Sequence, residues 1–224
     1  MKKPVVDYRK LRLSNITGPE YRHVLLLGGW IVYFALYFLT ENLIPFERCH
    51  PIHCALDDAI PFCEVFVVPY LLWFFLVAGS LLYFFLYDIP SFRRLSIYIM
   101  ITQAGAMLIY IIWPSIQLLR PETFPRDNFL SHVMAFIYSF DTPTGVFPSL
   151  HVAYSGGIAS AWCRRKETRP FWKGFMIVSA ILISISTAFV KQHSFLDILA
   201  AIPLCLLAEL FVRWTERRKN RRSV

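Results

Sequence analysis

Charge is what this 224-residue chain lacks: Asp, Glu, Lys and Arg make up only 17% of it, against about 25% in soluble domains. That scarcity, with 20 Phe, 11 Tyr and 6 Trp, excludes intrinsic disorder, whose signature is high charge and few aromatics. Cysteine is sparse as well. Five Cys are too few to staple a chain of this length as a disulfide miniprotein. Gly/Ser linkers, low-complexity tracts and internal repeats are missing too. What the chain has instead is apolar surface: 56% hydrophobic residues and a mean hydropathy of +0.49.

That surface falls into runs of spanning length, at about 24–44, 66–87, 95–119, 146–163, 171–190 and 194–212. Roughly 17–25 apolar residues cross a bilayer core as a helix, so the pattern predicts an all-α polytopic membrane protein with six transmembrane helices. Of the 23 Lys and Arg, 19 flank these runs on one side: the N-terminal tail, Arg93 and Arg94, the stretch from Arg164 to Lys173, and the residues after 212. Arg48, Arg120, Arg126 and Lys191 remain for the other. The positive-inside rule then puts both termini in the cytoplasm. The parts expected are a basic cytoplasmic tail over 1–23, a six-helix catalytic domain over 24–212 and a second basic tail over 213–224. The first apolar run reads as an uncleaved span, and the sequon Asn15-Ile16-Thr17 as cytoplasmic and unused. The net charge of +8 therefore reads as topology and contact with anionic lipid, with no nucleic-acid partner.

Two loops face outward in this layout. The first, about 45–65, holds Cys49, Cys54, Cys63, His50 and His53. Such pairs can grip a metal, but an oxidising face favours one disulfide among the three thiols with two solvated histidines. Cys163 and Cys205 read as small apolar residues. The second loop, about 120–145, contains a segment that begins at the good N-cap Asp127 and spaces Phe129, Val133, Phe136, Ile137 and Phe140 as a helix does. It is too short to cross a bilayer and predicts a helix lying at the outer interface.

Three stretches carry ionisable groups at the edge of this apolar frame, where they are costly and point to function. They are Arg120-Pro121, Phe147-Pro148-Ser149-Leu150-His151, and Ser186 through Asp197. All three reach the outer face at similar depth. His193 and Asp197 are four apart at the start of a helix, hence on one face. A carboxylate there fixes the tautomer of the imidazole and leaves its other nitrogen free to attack. His151 supplies the second imidazole that acid–base work needs. Arg120 and Lys191, with Ser149, suit a tetrahedral phosphate, and Asp141 is a weaker candidate that orients Arg120 or ends the interfacial helix. Taken singly, each has a plain structural reading, such as an interhelical contact or a snorkelling lysine. Gln103 reads as an interhelical hydrogen bond, and Gly156 and Gly157 as close helix packing.

These segments resemble the signature blocks of the type 2 phosphatidate phosphatase and vanadium haloperoxidase superfamily: Lys-x6-Arg-Pro, Pro-Ser-x-His, and Ser-Arg-x5-His-x3-Asp. Here they stand as Arg120-Pro121, Pro148-Ser149-Leu150-His151 and Ser186…His193…Asp197. Two positions depart from the pattern: Trp113 where the first block has Lys, and Thr187 where the third has Arg. The stretches Asp141–Phe147 and Leu56–Phe62 look like the membrane branch related to inositol phosphorylceramide and sphingomyelin synthases.

The resemblance implies an integral membrane lipid phosphate phosphatase in which His193 attacks phosphorus to give a phosphohistidine. Asp197 orients His193, His151 serves as acid and base, and Arg120, Lys191 and Ser149 hold the phosphoryl oxygens, without metal or cofactor. The substrate class is a phospholipid, isoprenoid or sphingolipid phosphate, met at the external leaflet of a bacterial plasma membrane. A lipid phosphotransferase with the same residues is the alternative, and a non-catalytic transporter or scaffold a second one.

Overall fold

The computed structural model describes residues 3–222. Among them the chain forms eight α-helices: α1 (Gly28–Leu43), α2 (Ala55–Ala59), α3 (Val67–Tyr87), α4 (Ile89–Ile112), α5 (Phe129–Phe140), α6 (Leu150–Arg164), α7 (Pro170–Phe189) and α8 (Phe195–Arg222). The only sheet among the described residues is a two-residue parallel pairing of His50–Pro51 with Ser115–Ile116. Five helices are long and apolar enough to cross a membrane: α1, α3, α4, α7 and α8, with α1 and α3 extended at their starts by 3-10 segments. The protein is an all-α polytopic membrane protein.

The fourth expected span differs in length. It begins at Leu150 rather than 146, because the chain bends at Pro148 and Ser149 stands extended at the N-cap, leaving α6 only 15 residues. The third ends at Ile112 rather than 119, where Trp113-Pro114 turns the chain into the small sheet. Pro114 lacks the N–H that would continue the helix. At its start α4 takes in Arg93 and Arg94 behind the N-cap Asp88, whose carboxylate accepts from the Ser91 N–H (3.1 Å).

Short as it is, α6 packs against α3, α4, α7 and α8. Its small residues permit this. A Cβ on Gly157 would overlap the Tyr98 ring, so the close approach of α4 requires glycine there, as the sequence predicts. Tyr154, Phe84, Phe92, Leu95 and Ile99 fill the core around it. At the opposite end from the histidines, Arg94 is buried and bridges Glu209 and Glu216, each at 2.6 Å, binding α4 to α8. Of the basic tail expected over 213–224, the residues as far as Arg222 form the last turns of α8. The N-terminal tail is likewise folded. Val5 N–H donates to Leu86 O (2.8 Å), and Tyr8 stacks on Phe85 and bonds His23 Nε2 (2.7 Å).

Helix α5 is a separate short element packed against α3 and the 3-10 turn that leads into it. Its N-cap is Asn128, whose side chain accepts from the Ser131 N–H (3.0 Å); Asp127, the expected cap, pairs with His132 (2.7 Å) instead. The aromatic stripe also divides. Met134 and Ile137 are buried against Val67 and Tyr70 of α3, whereas Phe129, Phe136 and Phe140 are exposed, as befits a helix with one face on protein and one on lipid.

The expected disulfide is not formed: all five cysteines are free. Different contacts hold the three loop cysteines. Cys49 Sγ points at Pro45 O (3.7 Å), Cys54 caps α2, and the Cys63 N–H donates to Phe189 O (3.0 Å). The loop histidines are engaged as well, His50 stacked on Trp113 and His53 paired with Asp58 (2.8 Å).

Candidate active site

Ser194-Phe195-Leu196-Asp197 starts α8 as a capping sequence, with Asp197 at the third helical position reaching back to the Ser194 N–H (3.0 Å). The same carboxylate oxygen meets His193 Nδ1 at 3.1 Å, while Asp197 is wholly buried. One residue thus ends the turn and orients the imidazole. An Nδ1–H donated to that carboxylate leaves Nε2 with a lone pair.

The second imidazole is brought up by a backbone contact. Ser149 N–H donates to Asp197 O (3.1 Å), which locks the N-cap of α6 onto the first turn of α8. Tyr110 OH holds Pro148 O (3.0 Å), and Ser115 Oγ accepts from the N–H groups of Val146 and Phe147. Gly145, at φ 61°, turns the chain into this segment with Tyr110 packed over it; a left-handed φ favours glycine. The outcome is that His151 Nδ1 lies 3.4 Å from His193 Nε2. The His151 ring is stacked on Tyr70 (4.7 Å) and tilted against Trp73 (4.3 Å).

Both histidines line a cavity of about 900 Å³ bounded by α1, α3, α5 and α6. Its wall is aromatic, with Trp30, Tyr33 and Phe34 on one side and Tyr70, Trp73 and Phe74 on the other. Along α3 the lining runs from Tyr70 to Leu81, about 16 Å at 1.5 Å per residue, which is roughly half the thickness of a hydrocarbon core.

The expected phosphate ligands divide. Arg120 is close by but engaged. Its guanidinium donates to Asp141 O (2.8 Å) and Gln192 Oε1 (2.7 Å), and it lies over the Tyr138 ring at 4.5 Å. Gln192 Nε2 completes the ring to Asp141 Oδ2 (2.9 Å). Asp141 therefore both ends α5 and orients Arg120, joining the two roles the sequence left open. Burial raises the Asp141 carboxyl above its ordinary value against the pull of Arg120, and burial lowers Arg120. Asp141 and Gln192 line the cavity, and among the described residues no Lys or Arg does.

Lys191 is not brought into the site. Its Nζ donates to Asp57 O (2.7 Å) and Ile60 O in the first loop, because a left-handed backbone at φ 51° turns the side chain that way. Burial lowers its pKa, with Asp57 opposing. Ser149 Oγ is buried without a partner, as are His151 Nε2 and Asp197 Oδ1. Of the positions where the resembled pattern has cations, Trp113 stacks on His50, and Thr187 Oγ1 bonds Ser184 O (2.8 Å) within its own helix.

Sequence reasoning did not single out Gln192, Tyr70 or Trp73. Gln192 was readable from its place beside His193. The two aromatics, three apart on an apolar helix, carry no signal that separates a site wall from core. Among the described residues no group of three or more His, Cys, Asp or Glu side chains could hold a metal ion. No family model, curated protein or solved structure matches the chain.

Proposed function

We propose that the protein is a membrane lipid phosphate phosphatase working through a phosphohistidine on His193. The observation that carries the reading is the chain of contacts Asp197–His193–His151, whose histidines line an aromatic cavity. In the first step His193 Nε2 forms a bond to phosphorus as the bond from phosphorus to the lipid oxygen breaks. His151 gives its proton to that oxygen. In the second, His151 takes a proton from water, whose oxygen attacks phosphorus, and the N–P bond breaks to release phosphate. Asp197 stabilises the imidazolium throughout. Arg120, freed from Gln192, holds the phosphoryl oxygens.

The resemblance of Pro148-Ser149-Leu150-His151 and Ser186…His193…Asp197 to the type 2 phosphatidate phosphatase blocks supports the same chemistry. The distribution of Lys and Arg supports cytoplasmic termini and an external site. A transferase using a lipid alcohol in place of water is the second reading. It is favoured by the aromatic rings of Tyr70 and Trp73 beside His151, which suit an apolar acceptor.

The test is phosphate release from a panel of lipid phosphates in detergent with excess EDTA, for wild type and His193→Ala. EDTA-resistant release lost in the variant supports the phosphatase. Headgroup transfer to an added alcohol, without release, selects the transferase. Release unchanged by the substitution refutes both.

A further inference from the structure

His193 sits in a five-residue turn between α7 and α8 that is held from the first loop. Two residues before it, Lys191 occupies the left-handed region, where a non-glycine residue needs its surroundings to keep it. Its Nζ is anchored on the carbonyls of Asp57 and Ile60. Directly after His193, Ser194 Oγ donates to Asp57 Oδ2 (2.6 Å) and the Phe195 N–H to Asp57 Oδ1 (2.8 Å). A third donor to the carboxylate, the Cys54 N–H (2.8 Å), comes from the start of Asp57's own helix, α2. A further tie, Cys63 N–H to Phe189 O, joins the same loop to the end of α7.

Asp57 is thus bonded on both flanks of His193, 137 positions before Ser194 in the chain. It is 2% exposed, and a carboxylate shut away from water needs donors on its oxygens. It has three. Besides capping its own helix through the Cys54 N–H, the groups its carboxylate meets are those of one turn. Burial alone would raise its carboxyl, but the hydrogen bonds from Ser194, Phe195 and Cys54 outweigh that and leave it below the ordinary aspartate value.

We infer that Asp57 is a positioning residue for His193, fixing through Lys191, Ser194 and Phe195 the turn that aims Nε2 into the cavity. The inference rests on the reading of His193 as nucleophile only for its catalytic consequence; the positional claim concerns the turn itself. It also gives Lys191 a role other than phosphate binding.

The experiment acylates the full-length, detergent-purified protein with diethylpyrocarbonate and follows each histidine by peptide mass spectrometry, in wild type, Asp57→Asn and Ser194→Ala. His132, with 71% of its side chain exposed, is the internal reference. His23, buried at the far end, reports general loosening. The expected result is His193 acylation about threefold or more faster in both variants, with His23 unchanged, as local opening of one turn would give. Equal His193 rates, or His23 accelerating in step, overturn the inference.

The same preparations are assayed for lipid phosphate turnover. With the turn displaced, kcat falls about tenfold or more while KM holds, since small misplacements cost rate steeply; kcat equal to wild type in Asp57→Asn also overturns the inference. A wild type with no turnover on any lipid counts against the phosphatase alone, because the acylation rates still decide the role of Asp57.

Discussion

His193 Nε2 and His151 Nδ1 face one another across 3.4 Å, with no room for a phosphorus atom between them. A phosphoryl group bonded to Nε2 must part the two rings. His151 is the one able to yield, because it is held by ring contacts with Tyr70 and Trp73, whereas His193 is pinned by Asp197 on its other nitrogen. On the proposed mechanism the paired rings are therefore a resting arrangement that substrate would wedge open.

If His151 acts as acid and base, His151→Ala should lower turnover about 100-fold to 10,000-fold. A substrate with a good leaving group needs no acid in the first step. That variant should then accumulate an acid-labile phosphohistidine on His193, read by mass spectrometry of a peptide digest kept alkaline. Failure to trap any phosphorylated His193, with turnover near wild type, would exclude this division of labour.

Lys191→Met should reduce stability and leave phosphate affinity nearly alone. Removing the ammonium orphans the buried carbonyl of Asp57 and the half-buried one of Ile60, at a cost of about 1–3 kcal/mol. Thermal melting in detergent measures the first effect and KM the second. A tenfold rise in KM with an unchanged melting temperature would restore Lys191 to the phosphate site; about tenfold corresponds to losing one charge-assisted contact.

Asp57 predicts an acid limb of stability. Its carboxyl lies below the ordinary aspartate value, so the folded state binds the proton less tightly than the unfolded chain. The stabilisation is fully present above the unfolded value of about 3.9 and is lost as pH falls through the folded one. Wild type should accordingly lose melting temperature more steeply below about pH 4 than Asp57→Asn does. Parallel curves would remove Asp57 as the source.

Gly157→Ala should destabilise by about 1–3 kcal/mol through overpacking, since the new methyl group would overlap the Tyr98 ring. Combining it with Tyr98→Leu should recover part of the loss in a melting experiment. Equal destabilisation by the single and double variants would mean that the backbone, not the ring, sets the limit.

The helix content and most of the spans were legible because long apolar runs leave little choice of structure. Their ends were less so. Pro114 and Pro148 cut two runs short, and an average over hydrophobicity does not register where a backbone donor is missing. His193, Asp197 and His151 were legible as ionisable residues at one depth, and the structure brings them together. Lys191 was misplaced for a different reason: its direction depends on one left-handed backbone angle, which nothing in the neighbouring sequence announces. The clamp by Asp57 and the ring through Gln192 join residues far apart in the chain, a relationship that spacing along a sequence does not contain.

The 15-residue α6 has a consequence for the surrounding lipid. At 1.5 Å per residue it is about 22 Å long, short of the roughly 30 Å hydrocarbon slab. The helix that begins beside His151 cannot reach both water surfaces, so the two histidines are sunk beneath the headgroup plane or the bilayer dips to meet them. On the proposed function a lipid phosphate would have to descend to them, through a locally thinned membrane or a small wet funnel above the rings. Turnover in vesicles should then depend on acyl-chain thickness, quickening in thinner bilayers.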